Sequence, residues 1–161
     1  MSKLPVRVNV EVIITKEKKV CLCKFIDLSD KTNFWYGFPG GGVEEGDSLE
    51  ETAVKECLEE VGLLVKNVQD LKVTKLHPAL FNKVERNAKY SGLLKHIFTA
   101  EYDNVDKSIL GADGDAVKYE WVSVQEAMEK VKDNGDWGVQ RVAALNALPA
   151  ITGKTPAYYN W

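Results

Sequence analysis

The chain has 161 residues, with Lys+Arg 21 against Asp+Glu 24 and a formal net charge of -3; that length fits one domain, 1–161, able to bury a core without disulfides or a structural metal. At 45% hydrophobic and 28% charged, with Gly 12 and Pro 5, the composition excludes collagen-like, disordered and low-complexity classes. The acidic balance argues against a nucleic-acid polymer as partner, and no apolar run is long enough to span a bilayer, so a phosphate-bearing partner must be met through a local site or a bridging cation.

The segment Met1 to Glu11 meets Lys3, Arg7 and Glu11 before any signal-peptide core could form, which predicts no export and a cytoplasmic protein. Val6, Val8, Val10, Val12 and Ile14 alternate with Arg7, Asn9 and Glu11, the period of a half-buried strand. Lys16 to Lys19 reads as a charged turn and Val20 to Phe25 as a strand pairing back. Three cysteines, Cys21, Cys23 and Cys57, read as reduced thiols; with only His77 and His96 to join them they make a poor zinc set. Residues 26–37 lack a period and read as a loop, leading into Phe38-Pro39-Gly40-Gly41-Gly42, where glycines allow close backbone approach.

Residues 48–61 read as a helix, capped by Asp47 or Ser48 and closed by Gly62. Strands are predicted over Leu71 to Leu76, Gly92 to Tyr102 and Lys118 to Val122, and helices over Val124 to Lys132 and Gly138 to Leu148. The order β-β-α-β-β-β-α-α predicts an α/β (α+β) fold, a mixed β-sheet sandwiched between helices. Gly153-Lys154-Thr155 fails as a phosphate loop because Leu148 stands where the other glycine is needed. The aromatic tail Pro156 to Trp161 is expected to pack on the chain's own core.

The helix carries the chemistry. Ala53, Val54, Cys57, Leu58 and Val61 fall on one apolar stripe, while Glu56, Glu59 and Glu60 share another arc. Glu56 and Glu60 repel as like charges four apart, and Glu59 and Glu60 sit at the helix end that disfavours acids. A hard divalent cation removes both objections, since Mg²⁺ takes carboxylate oxygens, and the glycine turn can lay a backbone carbonyl beside the cluster. The competing reading is a solvated acidic face serving a structural or interaction role.

Residues 41–63, GGVEEGDSLEETAVKECLEEVGL, resemble the signature of the Nudix (MutT-like) hydrolases, G-x5-E-x7-R-E-U-x-E-E-x-G-U with U a bulky aliphatic. Gly41, Glu56, Glu59, Glu60, Gly62 and Leu63 match, and Trp35 and Phe38-Pro39-Gly40 resemble the family's approach to the box. Asp47 stands for the first glutamate, Lys55 for the arginine and Cys57 for an aliphatic; the first two keep their charges but lose a methylene and a forked guanidinium. The resemblance implies the Nudix fold and a pyrophosphohydrolase that cleaves a nucleoside diphosphate linked to another moiety, such as a nucleoside triphosphate, ADP-ribose or nucleotide sugar. It implies Mg²⁺, with Mn²⁺ as a substitute, held by Glu59, Glu60 and the Gly40 carbonyl, with Glu56 as a further ligand or as the base orienting water. Among the late acids Asp113, Asp115 and Glu120, Asp115 is favoured as the completing ligand. Phe34, Trp35, Tyr36 and Phe81 are candidate platforms for the base, and Arg86 and Lys89 candidate phosphate contacts. Pro78 stands at the spacing that the family associates with ADP-ribose. The alternative within the resemblance is a non-catalytic module that binds or senses a nucleotide, and a homodimer is compatible with either.

Overall fold

The computed structural model describes residues 4–78, 89–105 and 116–148. Phe81, Arg86, Asp113, Asp115, Gly153-Lys154-Thr155 and the tail Pro156 to Trp161 lie outside the described residues. In chain order the elements are β1 (Val6–Lys16), β2 (Lys19–Ile26), β3 (Phe34–Gly37), β4 (Gly40–Gly42), α1 (Leu49–Val61), β5 (Leu63–Pro78), β6 (Gly92–Val105), β7 (Ala116–Ser123), α2 (Val124–Val131) and α3 (Gly135–Asn146). The seven strands form one mixed sheet. Strand β1 runs parallel to β6 from Val6↔Gly92 to Thr15↔Glu101, and β5 returns antiparallel on β6.

The site is positioned by a split in that sheet. Strands β1 and β2 pair only next to their turn, at Thr15↔Val20 and Lys16↔Lys19. They then part, and the β3–β4 segment occupies the facing edges, β3 on β2 and β4 on β1. Phe38, fully buried at the crossing, anchors it.

Helix α1 covers the face carrying Val10, Val12, Ile14, Cys21, Cys23 and Phe98. Helices α2 and α3 cover the other, over Ile13, Leu22, Val73 and Ile97. The sheet between helices is therefore the expected one, but β1 is not half-buried. The face read as polar lies under α3, and Glu11 is only 3% exposed. The apolar stripe of α1 is also narrower than expected. Ala53 and Cys57 are buried and Leu58 and Val61 half-buried, while Val54 is 37% exposed and Thr52 is buried instead, its hydroxyl donating to the Ser48 carbonyl at 2.9 Å.

Other departures have local causes. The stretch read as a loop contains β3, four residues long and too short to display a period. Strand β5 begins directly at Leu63. Left-handed residues Asn67 and Lys72 and their register shifts break its alternation before Leu71 and just after it. All three cysteines are free and buried. No helix among the described residues is long and apolar enough to cross a membrane.

Candidate active site

Helix α1 starts at Ser48, whose hydroxyl accepts from the Glu51 N–H at 3.0 Å, and ends at Gly62 in the left-handed conformation, its N–H reaching the Cys57 and Leu58 carbonyls. Of the two candidate caps, Asp47 is thus left for another task. Its carboxylate lies 3.6 Å from Lys55 Nζ, which also donates to Glu44 at 3.1 Å. Lys55 holds the loop to the helix with two acids where an arginine would fork onto one.

Two α1 glutamates, Glu56 and Glu60, meet strand β4 (Gly40–Gly42) at its backbone. The Val12 N–H donates to the Pro39 carbonyl at 2.8 Å and the Val43 N–H to the Val8 carbonyl at 2.9 Å. In that register Glu11↔Gly40 falls at the alternate position, where N–H and C=O both point away from the partner strand. The Gly40 N–H donates to Glu60 Oε1 at 3.3 Å, and its carbonyl faces the same edge. A side chain cannot be accommodated at Gly40, since a Cβ would lie 2.3 Å from the Val10 carbonyl oxygen.

Glu60 is the perturbed group. Burial, reinforced by the charges of Glu56 and Glu11, pushes its carboxyl up to about 8 against the opposing Gly40 N–H and Lys95. Its second oxygen, Oε2, is buried with no hydrogen-bond partner. A buried carboxylate oxygen left without a donor is costly unless a proton or cation meets it. Beside it, the Glu56 carboxylate occupies the space over Gly41, 2.5 Å from where a Cβ would stand. Glu59 is half-buried on the same helix. Among the described residues no three acidic, His or Cys side chains converge into a ready cage. The unpartnered Glu60 oxygen and the Gly40 carbonyl on the same edge are oxygen donors of the kind hard cations take. The donor set therefore fits a hard divalent cation.

Gly41→Ala tests the contact with Glu56. Only the end of a flexible side chain must move, so the melting temperature should hold within about 2–4 °C. The displaced carboxylate should lower kcat by about tenfold to a hundredfold. An unchanged kcat would mean that Glu56 is not held there by any functional need.

Below β4, on the α3 side, lies a polar network the sequence did not reveal. Glu11 receives Arg141 Nε on Oε2 and Arg141 Nη2 on Oε1, both at 2.9 Å, and Lys95 Nζ on Oε1 at 2.9 Å. Burial alone would raise the Glu11 carboxyl, but Arg141 and Lys95 outweigh it and hold it at about 2. For Lys95 burial wins, and its ammonium is pushed below the usual range despite Glu11. The Gln140 amide donates to the Val73 and Lys95 carbonyls at 3.1 and 2.8 Å, which orients its oxygen to accept from His77 Nε2 at 2.8 Å. His77 in turn stacks on Trp137. An acid inside the most valine-rich strand and an arginine inside the apolar stretch of α3 were the signals that could have found this pair.

The remaining candidates are dispersed. Trp35 stacks on Phe25 at 5.6 Å, on the α1 face. Tyr36 points to the opposite face, against the α2/α3 core with Lys130 Nζ 5.1 Å from its ring, as alternate residues of a strand must. Phe34 is exposed under Lys24. Glu120 lies on β7 paired with Lys130 at 3.2 Å, on the α2 side rather than beside α1. Pro78 ends β5 and Lys89 is exposed.

A family model described as the NUDIX domain matches residues 5–142. A NUDIX hydrolase from Nitrosomonas europaea superposes with a TM-score of 0.67 at 19% identity, covering 96% of this chain and 97% of that one. An ADP compounds hydrolase gives 0.64 at 18% identity over 89% and 72% of the two chains, and the E. coli ORF135 protein 0.60 at 21% over 92% and 94%. A search of curated sequences returns no match. At those identities the superpositions establish the fold. The family model, spanning most of the chain, establishes that the chain belongs to the Nudix hydrolase family.

Proposed function

We propose that the protein is a cytoplasmic, Mg²⁺-dependent pyrophosphohydrolase acting on a nucleoside diphosphate linked to another moiety. The observation that carries this reading is the Glu60 carboxyl, buried, with one oxygen on the Gly40 N–H and the other without a partner. Glu60, Glu59 and the Gly40 carbonyl would hold the cation. When bound, Mg²⁺ supplies charge neutralisation at phosphate oxygens and acidifies a coordinated water. Glu56, held over Gly41, is positioned to take part in the ligand set or to accept the proton of the attacking water. Water attacks phosphorus, the anhydride P–O bond breaks, and the products leave as two phosphate-terminated fragments. Asp115, Phe81 and Arg86 complete the proposed set as a late ligand, a base platform and a phosphate contact, alongside Trp35 on the α1 face.

The alternative, a module that binds a nucleotide without hydrolysing it, rests on the changed Asp47 and Lys55. The Lys55 ammonium between Glu44 and Asp47 links the loop to the helix, which favours the catalytic reading. The test is a panel of dNTPs, ADP-ribose, NADH, dinucleoside polyphosphates and nucleotide sugars with Mg²⁺ or Mn²⁺. Turnover of at least one class, abolished by chelation, is expected. Tight binding of a panel member with no hydrolysis over hours would replace this reading with the sensor.

A further inference from the structure

The segment that brings Gly40 to Glu60 is anchored at Phe38 and by its strand pairing, but on either side of Phe38 its own side chains add little. Of the seven residues Tyr36 to Gly42, four are glycine, the most permissive backbone available, and β4 has no side chains with which to pack. One side chain touches one end of this segment and reaches the other through a partner. Arg141, on α3, donates from Nη1 to the Tyr36 carbonyl at 3.4 Å and lays its guanidinium against Gly37, where a Cβ would be 3.1 Å from Cζ. With its other nitrogens it grips the two oxygens of Glu11. Glu11 is the register partner of Gly40, and its Cα would stand 3.0 Å from a Cβ at that glycine. The guanidinium therefore pins the β3 end directly and the β4 end through Glu11, and the fork fixes orientation as well as distance.

We propose that Arg141 is a positioning residue for the reaction centre, setting Gly40 against Glu60 through its forked pair with Glu11 and its bond to Tyr36. It meets neither substrate nor cation. The inference rests on the reading of Gly40 and Glu60 as a cation site, but it also makes a claim about the protein without metal: the order of Gly40 to Gly42 depends on a guanidinium at 141.

Arg141→Lys keeps the charge and loses the fork. The control is Leu71→Ala, a buried core change in β5, which β1 and β6 separate from β4, compared at matched distance below each variant's melting temperature. Two readouts are taken on the full chain. Amide hydrogen exchange in the metal-free protein should accelerate at Gly40 to Gly42 at least tenfold in Arg141→Lys relative to the control. Mn²⁺ affinity, followed by electron paramagnetic resonance, should weaken about 10–100-fold, the range for groups that orient metal ligands; kcat should fall more than KM rises. Exchange and Mn²⁺ affinity indistinguishable from Leu71→Ala would overturn the proposal. Wild-type protein that binds no Mn²⁺ would overturn the reading of the site instead, and the exchange measurement alone would then decide the role of Arg141.

Discussion

Glu60→Gln is expected to lower kcat by about 10²–10³ and, in the absence of metal, to make the protein more stable at pH 8. The first effect follows, on the proposed site, from losing a charged ligand of the cation beside the reacting phosphate. The second follows from linkage. The folded-state value of about 8 stands above the ordinary 4.5, so the folded protein holds this proton more tightly than the unfolded chain. Stability from this group is therefore greatest below 4.5, falls as pH rises, and levels off above about 8, where the buried charge is fully formed. Glutamine keeps an acceptor for the Gly40 N–H and never ionises, so the variant lacks that slope. The difference should be on the order of a few kcal/mol at most, because the group retains some solvent contact. Chemical denaturation in chelator at pH 5 and pH 8 reads it directly. Parallel pH slopes in wild type and variant would contradict it. Glu51→Gln, exposed in the first turn of α1, should change the rate little; if it were as damaging as Glu60→Gln, the assignment of the helix face would be wrong.

Removing Glu11 should be the most damaging single change to the fold. Glu11→Ala leaves Arg141 and Lys95 buried, 5% and 8% exposed, with no anion between them. A loss of about 3–5 kcal/mol is expected, which for a chain of this size lowers the melting temperature by about 10 °C or more. The pH dependence has the opposite sign to that of Glu60. Glu11 sits at about 2, below 4.5, so its contribution is complete above 4.5 and disappears as pH falls through about 2. Wild-type protein should lose stability in that window more steeply than Glu11→Ala. Replacing Glu11, Lys95 and Arg141 together by methionine should recover much of the stability. If Arg141 acts as proposed, it should not recover Mn²⁺ affinity. A melting temperature for Glu11→Ala within 3 °C of wild type, by differential scanning calorimetry at pH 7, would show that the trio contributes little.

The legible parts of the molecule were those governed by local rules. Helix α1 was readable to within a residue because its cap, its period and its terminal glycine are all written in neighbouring positions. The arc of Glu56, Glu59 and Glu60 was readable for the same reason. What required the structure was contact between distant segments. Glu11 read as an outward acid because nothing near it in the chain announces Arg141, and Val54 read as core because the stripe was drawn without knowing how far the sheet extends. Strand β4 has three glycines and no period to detect. Its meaning lies in its register on β1, which leaves the Gly40 N–H and carbonyl pointing away from that strand.

The Glu11–Arg141 fork spans 130 residues of sequence, and β1 lies parallel to β6, which the chain reaches only at Gly92. Long-range and parallel pairings of this kind form slowly, after the entropy of closing large loops has been overcome. A chain emerging from the ribosome can wind α1, with its acidic face complete, before β6 or α3 exists. The proposed cation-binding geometry would still be absent, because β4 would have neither the proposed guanidinium brace nor a fully paired β1 beneath it. Maturation of the site is thus tied to completion of the fold: the hydrolytic centre is a late product of folding, although its best-known residues are made early.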